Sequence, residues 1–484
     1  VRPARRTFLL AGLAAAGCSS SPPPRKSAPP SSPVATTPAG PADWTALGRG
    51  LDGRLVRPGD AAYGQARRLY IPRFDRIRPA GIAYCANPQD VAECVAFAQR
   101  MRLPVAVRCG GHNYAGWSTG TGLVVDVSPM DRIRTDGERA VVGAGVRLID
   151  LYADGPGVPA GTCPTVGVAG LTLGGGLGPM TRAHGLTCDA LEAVRIVTAD
   201  GRIRDCDAGR DADLLWASRG GGGGAFGVAV EFTFRTFGRE DLTWFSARWP
   251  WSKAAAVISG WQRWAPPDEL WSSLQLDTPS VEVVGVSLAD PGKELDRLAG
   301  LAGGDPEELN SRRMPYVDAM KLLAGCAGRS VAQCHAPGGL PGQRRDGTYP
   351  RTEYAAKSHI AYRPLPGDAI DALVARLSGD AEGRSVLLDA MGGAVARLKP
   401  DETAFPHRAG LFCVQYLAAT GDRDWLRGTH RAMEPHLGGA AYVNYADPEL
   451  ADWRRAYYGG NADRLARIKA AYDPGRLFRF PQAV

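Results

Sequence analysis

Regular hydrophobic patterning begins near residue 80. Ile82-Ala83-Tyr84 reads as a short apolar strand, and Asn87-Pro88-Gln89-Asp90 opens a helix whose apolar positions Val91, Cys94, Val95 and Ala98 recur at helical spacing. Pro104-Val105-Ala106-Val107 is a second run of strand type, ending in Arg108-Cys109-Gly110-Gly111-His112-Asn113. Leu123-Val124-Val125-Asp126-Val127 and Ala140-Val141-Val142-Gly143-Ala144-Gly145 are further strands. A second glycine-rich stretch, residues 161–178, leads to the strand-like Val194-Arg195-Ile196-Val197 and a turn at Ala199-Asp200-Gly201. A third runs from Arg219 through five glycines to Phe226-Gly227-Val228. These elements predict an α+β domain over residues 60–237. Near Gly238 the texture changes: tryptophans gather at 244, 249, 251, 261, 264 and 271, and strand alternation returns at Leu274-Gln275-Leu276. Residues 238–430 are therefore expected to form a second, substrate-shaping domain, followed by a Tyr-, Asn- and Arg-rich segment, 431–484.

Length agrees with this division, because 484 residues exceed the roughly 100–200 of an ordinary single core. The apolar fraction of 44% and charged fraction of 22% are those of a chain that folds in water. The 61 glycines are about 13% of the chain against a usual ~7%, without a collagen period, which implies close backbone approach to a ligand. The +7 charge is spread among carboxylates, with no basic run for a nucleic acid. No feature specifies a protein partner.

Arg5-Arg6-Thr7-Phe8-Leu9-Leu10, a short apolar run and Ala15-Ala16-Gly17-Cys18 read as an export signal over residues 1–18. The arginine pair resembles a twin-arginine signal, used by proteins exported already folded. The box before Cys18 resembles a lipoprotein cleavage site, so Cys18 is a candidate lipid anchor, with a plain cleaved signal as the alternative. Residues 19–42, rich in Ser and Pro, are expected to be a disordered tether. Of the ten cysteines, Cys326 and Cys334 bracket a short loop and are the expected disulfide pair. The seven histidines show no metal-ligand spacing.

The glycine stretches match neither a P-loop nor a Rossmann fingerprint: Gly174-Gly175-Gly176-Leu177-Gly178 lacks a following Lys-Ser/Thr, and no Gly-x-Gly-x-x-Gly opens a helix after the first strand. Three motifs are informative instead. They are Arg108-Cys109-Gly110-Gly111-His112-Asn113-Tyr114-Ala115-Gly116-Trp117-Ser118, then Pro159-Ala160-Gly161-Thr162-Cys163-Pro164-Thr165-Val166-Gly167-Val168-Ala169-Gly170, and Asp213-Leu214-Leu215-Trp216-Ala217-Ser218-Arg219-Gly220. With Ala441-Tyr442-Val443-Asn444-Tyr445-Ala446-Asp447, Tyr457-Tyr458-Gly459-Gly460-Asn461 and Tyr472-Asp473-Pro474, they closely resemble the berberine bridge enzyme-like FAD-linked oxidases of the vanillyl-alcohol oxidase superfamily. The resemblance spans about residues 60 to 484.

The resemblance implies an α+β fold: a two-subdomain PCMH-type FAD-binding domain, and a substrate domain with an antiparallel sheet backed by helices. It implies a C-terminal segment that returns to the flavin. FAD would be held by Arg108, Cys109, Gly110, Gly111, His112, Asn113, Ser118, Gly161, Cys163, Val166, Gly167, Gly170, Gly174, Gly175, Gly227, Val228, Asn444 and Tyr445. The family's covalent anchors fall on His112, toward the 8α carbon, and Cys163, toward C6; imidazole and thiolate are nucleophiles suited to an electron-poor ring. The base falls on Tyr445, with Gln415 orienting it or the substrate. A phenol with pKa ~10 is a poor base at neutral pH, so the site is expected to lower it. Leu177 stands where many plant relatives carry a tyrosine, so any second phenol helping the base must come from elsewhere. Arg182, His184, His407 and Arg408 read as structural.

Three functions fit. The first is an oxidase that transfers hydride from an alcohol of a sugar, oligosaccharide or glycosylated small molecule and passes the electrons to O2, Val166 being the position where a small side chain admits oxygen. The second is a dehydrogenase of the same fold using a quinone or other acceptor. The third is a surface lipoprotein that binds solutes without turnover. The tryptophans fit either sugar platforms or a core. Export through the folded route predicts that Arg5→Lys with Arg6→Lys leaves flavin-loaded protein in the cytoplasm, measured by fractionation; continued export of this variant refutes it.

Overall fold

The computed structural model describes residues 42–379 and 382–484. The export signal, Cys18 and nearly all of the tether fall outside these residues. The helix expected after Asn87 runs Pro88–Met101: Asn87 accepts from the Asp90 amide at 2.9 Å, and Pro88 occupies the first turn, where a missing N–H is tolerated. It buries Val91, Cys94, Val95, Phe97 and Ala98, and it ends where Arg102 turns left-handed at φ 53°. The helix covers a four-stranded sheet ordered Arg54–Val56, Gly81–Tyr84, Leu123–Asp126, Val105–Arg108; its last three strands run parallel. Parallel neighbours need a covering helix, and their near-continuous Val and Leu reflect burial on both faces.

A five-stranded antiparallel sheet follows, ordered Ile133–Asp136, Arg139–Gly143, Val228–Arg235, Leu191–Val197, Ile203–Cys206. Its inward residues, Ala140, Val142, Val194, Ile196, Phe232 and Phe234, share one core with the first sheet.

The third sheet has seven strands, all antiparallel: Glu308–Met314, Leu242–Pro250, Ser280–Ser287, Leu270–Asp277, Arg384–Ala390, Phe412–Ala418, Ala355–Ala361. Here the period of two does the sorting. Val386, Leu388, Phe412, Val414 and Tyr416 pack beneath helices Ala254–Arg263, Gly292–Leu301, Gly367–Leu377 and Arg423–Leu437. Their alternates Leu387, Asp389, Gln415 and Leu417 face the opposite way, into a cavity. Trp249, Trp261 and Trp264 are core residues at 1%, 5% and 3% exposure, which removes them as sugar platforms. Only Trp271 of the six reaches the cavity wall.

Two features tie the third sheet to the rest. Residues 324–354 form a strap carrying the expected disulfide, Cys326–Cys334. His335 bonds Asp150 at 2.9 Å, Arg351 pairs with Asp75 at 2.6 Å, and Arg73 pairs with Glu353 at 3.2 Å. The second is the C-terminal stretch, whose Tyr457, Tyr458, Leu465, Ile468 and Phe478 join the core of the first two sheets. Buried Lys469 is satisfied there by Asp473 at 2.6 Å, by the Phe478 carbonyl at 2.6 Å and by the Ala225 carbonyl.

Arg182, placed among structural residues by sequence, donates to the carbonyls of Leu270, Met391 and Pro266. Arg408 makes two 2.7 Å bonds to Asp189, with the side chains only 2% and 5% exposed. Removing one partner of such a buried pair strands the other charge. Arg408→Ala is therefore expected to lower unfolding free energy by about 3–5 kcal/mol. Arg397→Ala, which breaks an exposed pair with Asp268, should cost about 0–1 kcal/mol. Chemical denaturation of both variants checks this, and equal effects would refute it.

Candidate active site

Between the first two sheets and the polar face of the third lies a cavity of about 970 Å³, at the top of the roughly 300–1,000 Å³ range of ligand pockets. One wall is nearly side-chain-free, made by Gly110, Gly111, Gly161, Gly167, Gly170 and Gly222 to Gly224. Its narrowness has a direct cause. A Cβ on Gly110 would stand 2.5 Å from the Gly167 nitrogen and 2.8 Å from the Thr165 carbonyl oxygen, so the two loops pack backbone to backbone only because position 110 is glycine. At the same wall, Thr119 has a buried hydroxyl without a partner. A long, backbone-lined trough with an unpaired donor suits a diphosphate-bearing cofactor.

Of the residues expected at the cofactor, Arg108, Cys109, Gly110, Gly111, His112, Asn113, Ser118, Gly161, Cys163, Val166, Gly167, Gly170, Gly227, Asn444 and Tyr445 line this cavity, as does Gln415. Gly174, Gly175 and Val228 do not. A Cβ on Gly174 would meet Asn444 Oδ1 at 2.1 Å, and one on Gly175 would meet Phe405 and Tyr442; these glycines make room for the C-terminal segment instead. Tyr442 caps the same turn, its hydroxyl accepting from the Gly176 and Leu177 amides at 2.8 and 3.3 Å. Val228 begins a buried strand.

His112 and Cys163 arrive from separate loops. The His112 ring stacks on Tyr70 at 4.0 Å, and its Nε2 lies 2.9 Å from Thr165 Oγ1. Burial, reinforced by the Arg147 charge, holds its pKa down at about 3, so the imidazole is neutral and keeps a nucleophilic lone pair. Burial pushes the Cys163 thiol up, against donors from Thr165, Tyr349 and Val166 that favour thiolate.

Facing them is an aromatic cluster. Tyr445 stacks on Tyr114 at 5.2 Å and 7°, and meets Tyr442 edge-on at 4.9 Å. Gln415 donates to the Tyr114 hydroxyl at 2.7 Å. The expectation that Tyr445 is acidified fails: burial, then the Asp389 carboxylate and the Tyr114 phenol, hold it well above 10. The main contributors are burial and neighbouring acidic groups, each of which raises it. Asp389 itself is pushed to about 6 by burial, against a bond from Ser273.

Sequence reasoning missed Tyr114 and Asp389. Tyr114 stacks on Tyr445, and its place in the turn two residues after His112 was a usable signal. Asp389 had only the alternation Val386, Leu388 against Leu387, Asp389. Tyr349 and Tyr354 enter on the strap, for which no sequence pattern existed.

Two α+β lobes with a glycine-walled trough, closed by a helix-backed antiparallel sheet bearing an amide and a carboxylate and by a phenol from the C-terminal segment, define a flavin-dependent oxidoreductase. Family comparison agrees. The FAD binding domain profile matches residues 79–207 and the berberine and berberine-like profile residues 441–484. An uncharacterized FAD-linked oxidoreductase of Bacillus subtilis, YgaK, is 33% identical, over 90% of this chain and 97% of its own. A carbohydrate oxidase of Microdochium nivale is 28% identical, over 88% and 92%. The solved structure of Physcomitrella patens BBE-like 1 superposes with a TM-score of 0.84 at 26% identity, covering 91% of this chain and 98% of that one. The chain belongs to the berberine bridge enzyme-like family of FAD-linked oxidoreductases, and is thus an enzyme rather than a solute-binding protein.

Gly110→Ala tests the trough. Backbone atoms cannot yield as a side-chain tip would, so the variant should lose about 1–3 kcal/mol of stability and most of its bound flavin, read as visible absorbance per protein. Full flavin content would disprove the close-approach argument.

Proposed function

We propose that the enzyme oxidises a CH–OH group of a carbohydrate or similar hydroxylated small molecule, using FAD joined covalently to His112 and Cys163 and returning electrons to O2 as H2O2. The observation that carries this reading is the convergence, on one cavity, of two nucleophiles from glycine loops with the cluster of Tyr445, Tyr114, Gln415 and Asp389. The relative named carbohydrate oxidase supports the substrate class. FAD, when bound, supplies the hydride acceptor.

Tyr445 takes the substrate's hydroxyl proton. Its phenol is held too high for a standing phenolate, so it cannot act alone near neutral pH. Asp389, ionised above about pH 6, is the acceptor to which that proton passes. Gln415 spends its amide N–H on Tyr114, which leaves its carbonyl to accept from a substrate hydroxyl. Val166, lining the cavity, is the small side chain beside which O2 reaches the ring. Export by the twin-arginine route, with Cys18 as the anchor, remains part of the proposal and suits an enzyme loaded with cofactor before crossing.

Tyr445→Phe should slow anaerobic flavin reduction by about 10²–10⁴-fold at unchanged flavin content. In the wild type, reduction should slow as pH falls through about 6, where Asp389 takes up its proton, and Asp389→Asn should abolish that inflection. Peroxide release is to be screened with mono- and oligosaccharides and simple alcohols under air. Substrate that bleaches the flavin anaerobically without peroxide under air would overturn the oxidase reading, and an unchanged Tyr445→Phe rate would move the base elsewhere.

A further inference from the structure

His112 and Cys163 are far apart in sequence, yet one side chain touches both. The Thr165 hydroxyl lies 2.9 Å from His112 Nε2 and 3.9 Å from Cys163 Sγ. Thr165 is 6% exposed, so bulk water does not compete for either contact. Tyr70 covers a face of the same imidazole. Stacked on one side and engaged at Nε2 on another, the ring lines the cavity with Nδ1 as its remaining nitrogen.

Both Thr165 contacts admit either direction, so the hydroxyl couples the proton of one nucleophile to that of the other. The sulfur lies 3.9 Å from the Thr165 hydroxyl, a contact in which either atom can donate, while the Tyr349 hydroxyl donates to the Ala324 carbonyl. A hydroxyl has one proton to give and two lone pairs to receive. When that proton points to sulfur, Thr165 accepts from His112, and this arrangement puts the ring proton on Nε2 and the lone pair on Nδ1. The tautomer of a reactive imidazole is commonly set in this way, by the partner of its other nitrogen.

We propose that Thr165 is the positioning residue for flavin attachment: its hydroxyl holds His112 as the Nε2–H tautomer and hydrogen-bonds the Cys163 sulfur, so that one side chain orders both nucleophiles. The inference rests on the covalent reading of these two residues. In the His112 step, Nδ1 bonds to the 8α carbon while one C–H bond of that methyl group breaks. That proton and the Nε2 proton are released, the two electrons stay in the isoalloxazine, and O2 removes them with two protons as H2O2. The Nε2 proton departs from the atom that Thr165 contacts. At Cys163 an S–C6 bond replaces S–H and C6–H bonds with the same electron balance, using a second O2.

Thr165→Val removes the hydroxyl and keeps the shape, whereas Thr165→Ser keeps the hydroxyl. Each protein is incubated with excess FAD under air, desalted and precipitated in acid. Wild type and T165S should hold flavin in the pellet. T165V should bind FAD natively but release most of it to acid, with attachment slowed about 10²-fold, the lower end for losing a proton-transfer partner. Peptide mapping reads the His112 and Cys163 bonds separately. T165V that forms both bonds at the wild-type rate overturns the proposal and leaves covalent attachment standing. T165V that cannot bind FAD natively makes Thr165 merely structural, which also overturns it. Wild-type protein that surrenders its flavin to acid removes the covalent reading and this role together.

Discussion

The closeness of two loops governs this protein. Residues 109–113 and 163–170 meet backbone to backbone at Gly110 and Gly167, where even a methyl group would overlap main-chain atoms. That contact sets the width of the trough and brings His112, Thr165 and Cys163 together. It also explains the cost in glycine. Each such residue is more expensive to order than an alanine, and the stability is recovered elsewhere, in the large shared core of the first two sheets.

The third sheet solves a different problem, that of presenting chemistry from a rigid surface. Residues on adjacent strands sort by parity: one set is buried beneath four helices, and the other, with Asp389 and Gln415, faces the cavity. A one-residue slip would exchange the two sets, so the apolar core beneath also holds the catalytic register above. The strap and the C-terminal stretch then close the site with groups that neither lobe supplies, Tyr349 and Tyr354 from one and Tyr442 and Tyr445 from the other. The bidentate Arg408–Asp189 pair locks the loop between strands Arg384–Ala390 and Phe412–Ala418 to the glycine region.

Electrostatically the site is dry and resists charge. Burial drives the His112 imidazole toward its neutral form and pushes Cys163, Tyr114, Tyr445 and Asp389 toward theirs. This suits nucleophiles that must not be protonated and a hydride transfer that gains from the exclusion of water. It also means that no standing phenolate is favoured at Tyr445, whose raised pKa reflects burial first and the Asp389 charge second.

Much of this was legible in the chain. Asn87-Pro88 announced a helix start because capping is local, and the runs at 82–84, 105–107 and 123–127 announced strands because the period-two and apolar signals are local as well. The motifs around His112, Cys163 and Tyr445 named the family because close backbone approach tolerates few residues. What sequence left undecided depends on distance in space. Gly174 and Gly175 look like cofactor glycines but accommodate Asn444 and Tyr442 from the far end of the chain. Trp249, Trp261 and Trp264 are core rather than platform, which only the packing of helices on the sheet decides. Tyr445 carries no mark of its shifted pKa, because desolvation and the neighbouring Asp389 arise from strands more than fifty residues away. Local spacing determined which residues could react; tertiary packing decided which of them meet, how dry they are and which hydrogen bond orients each one.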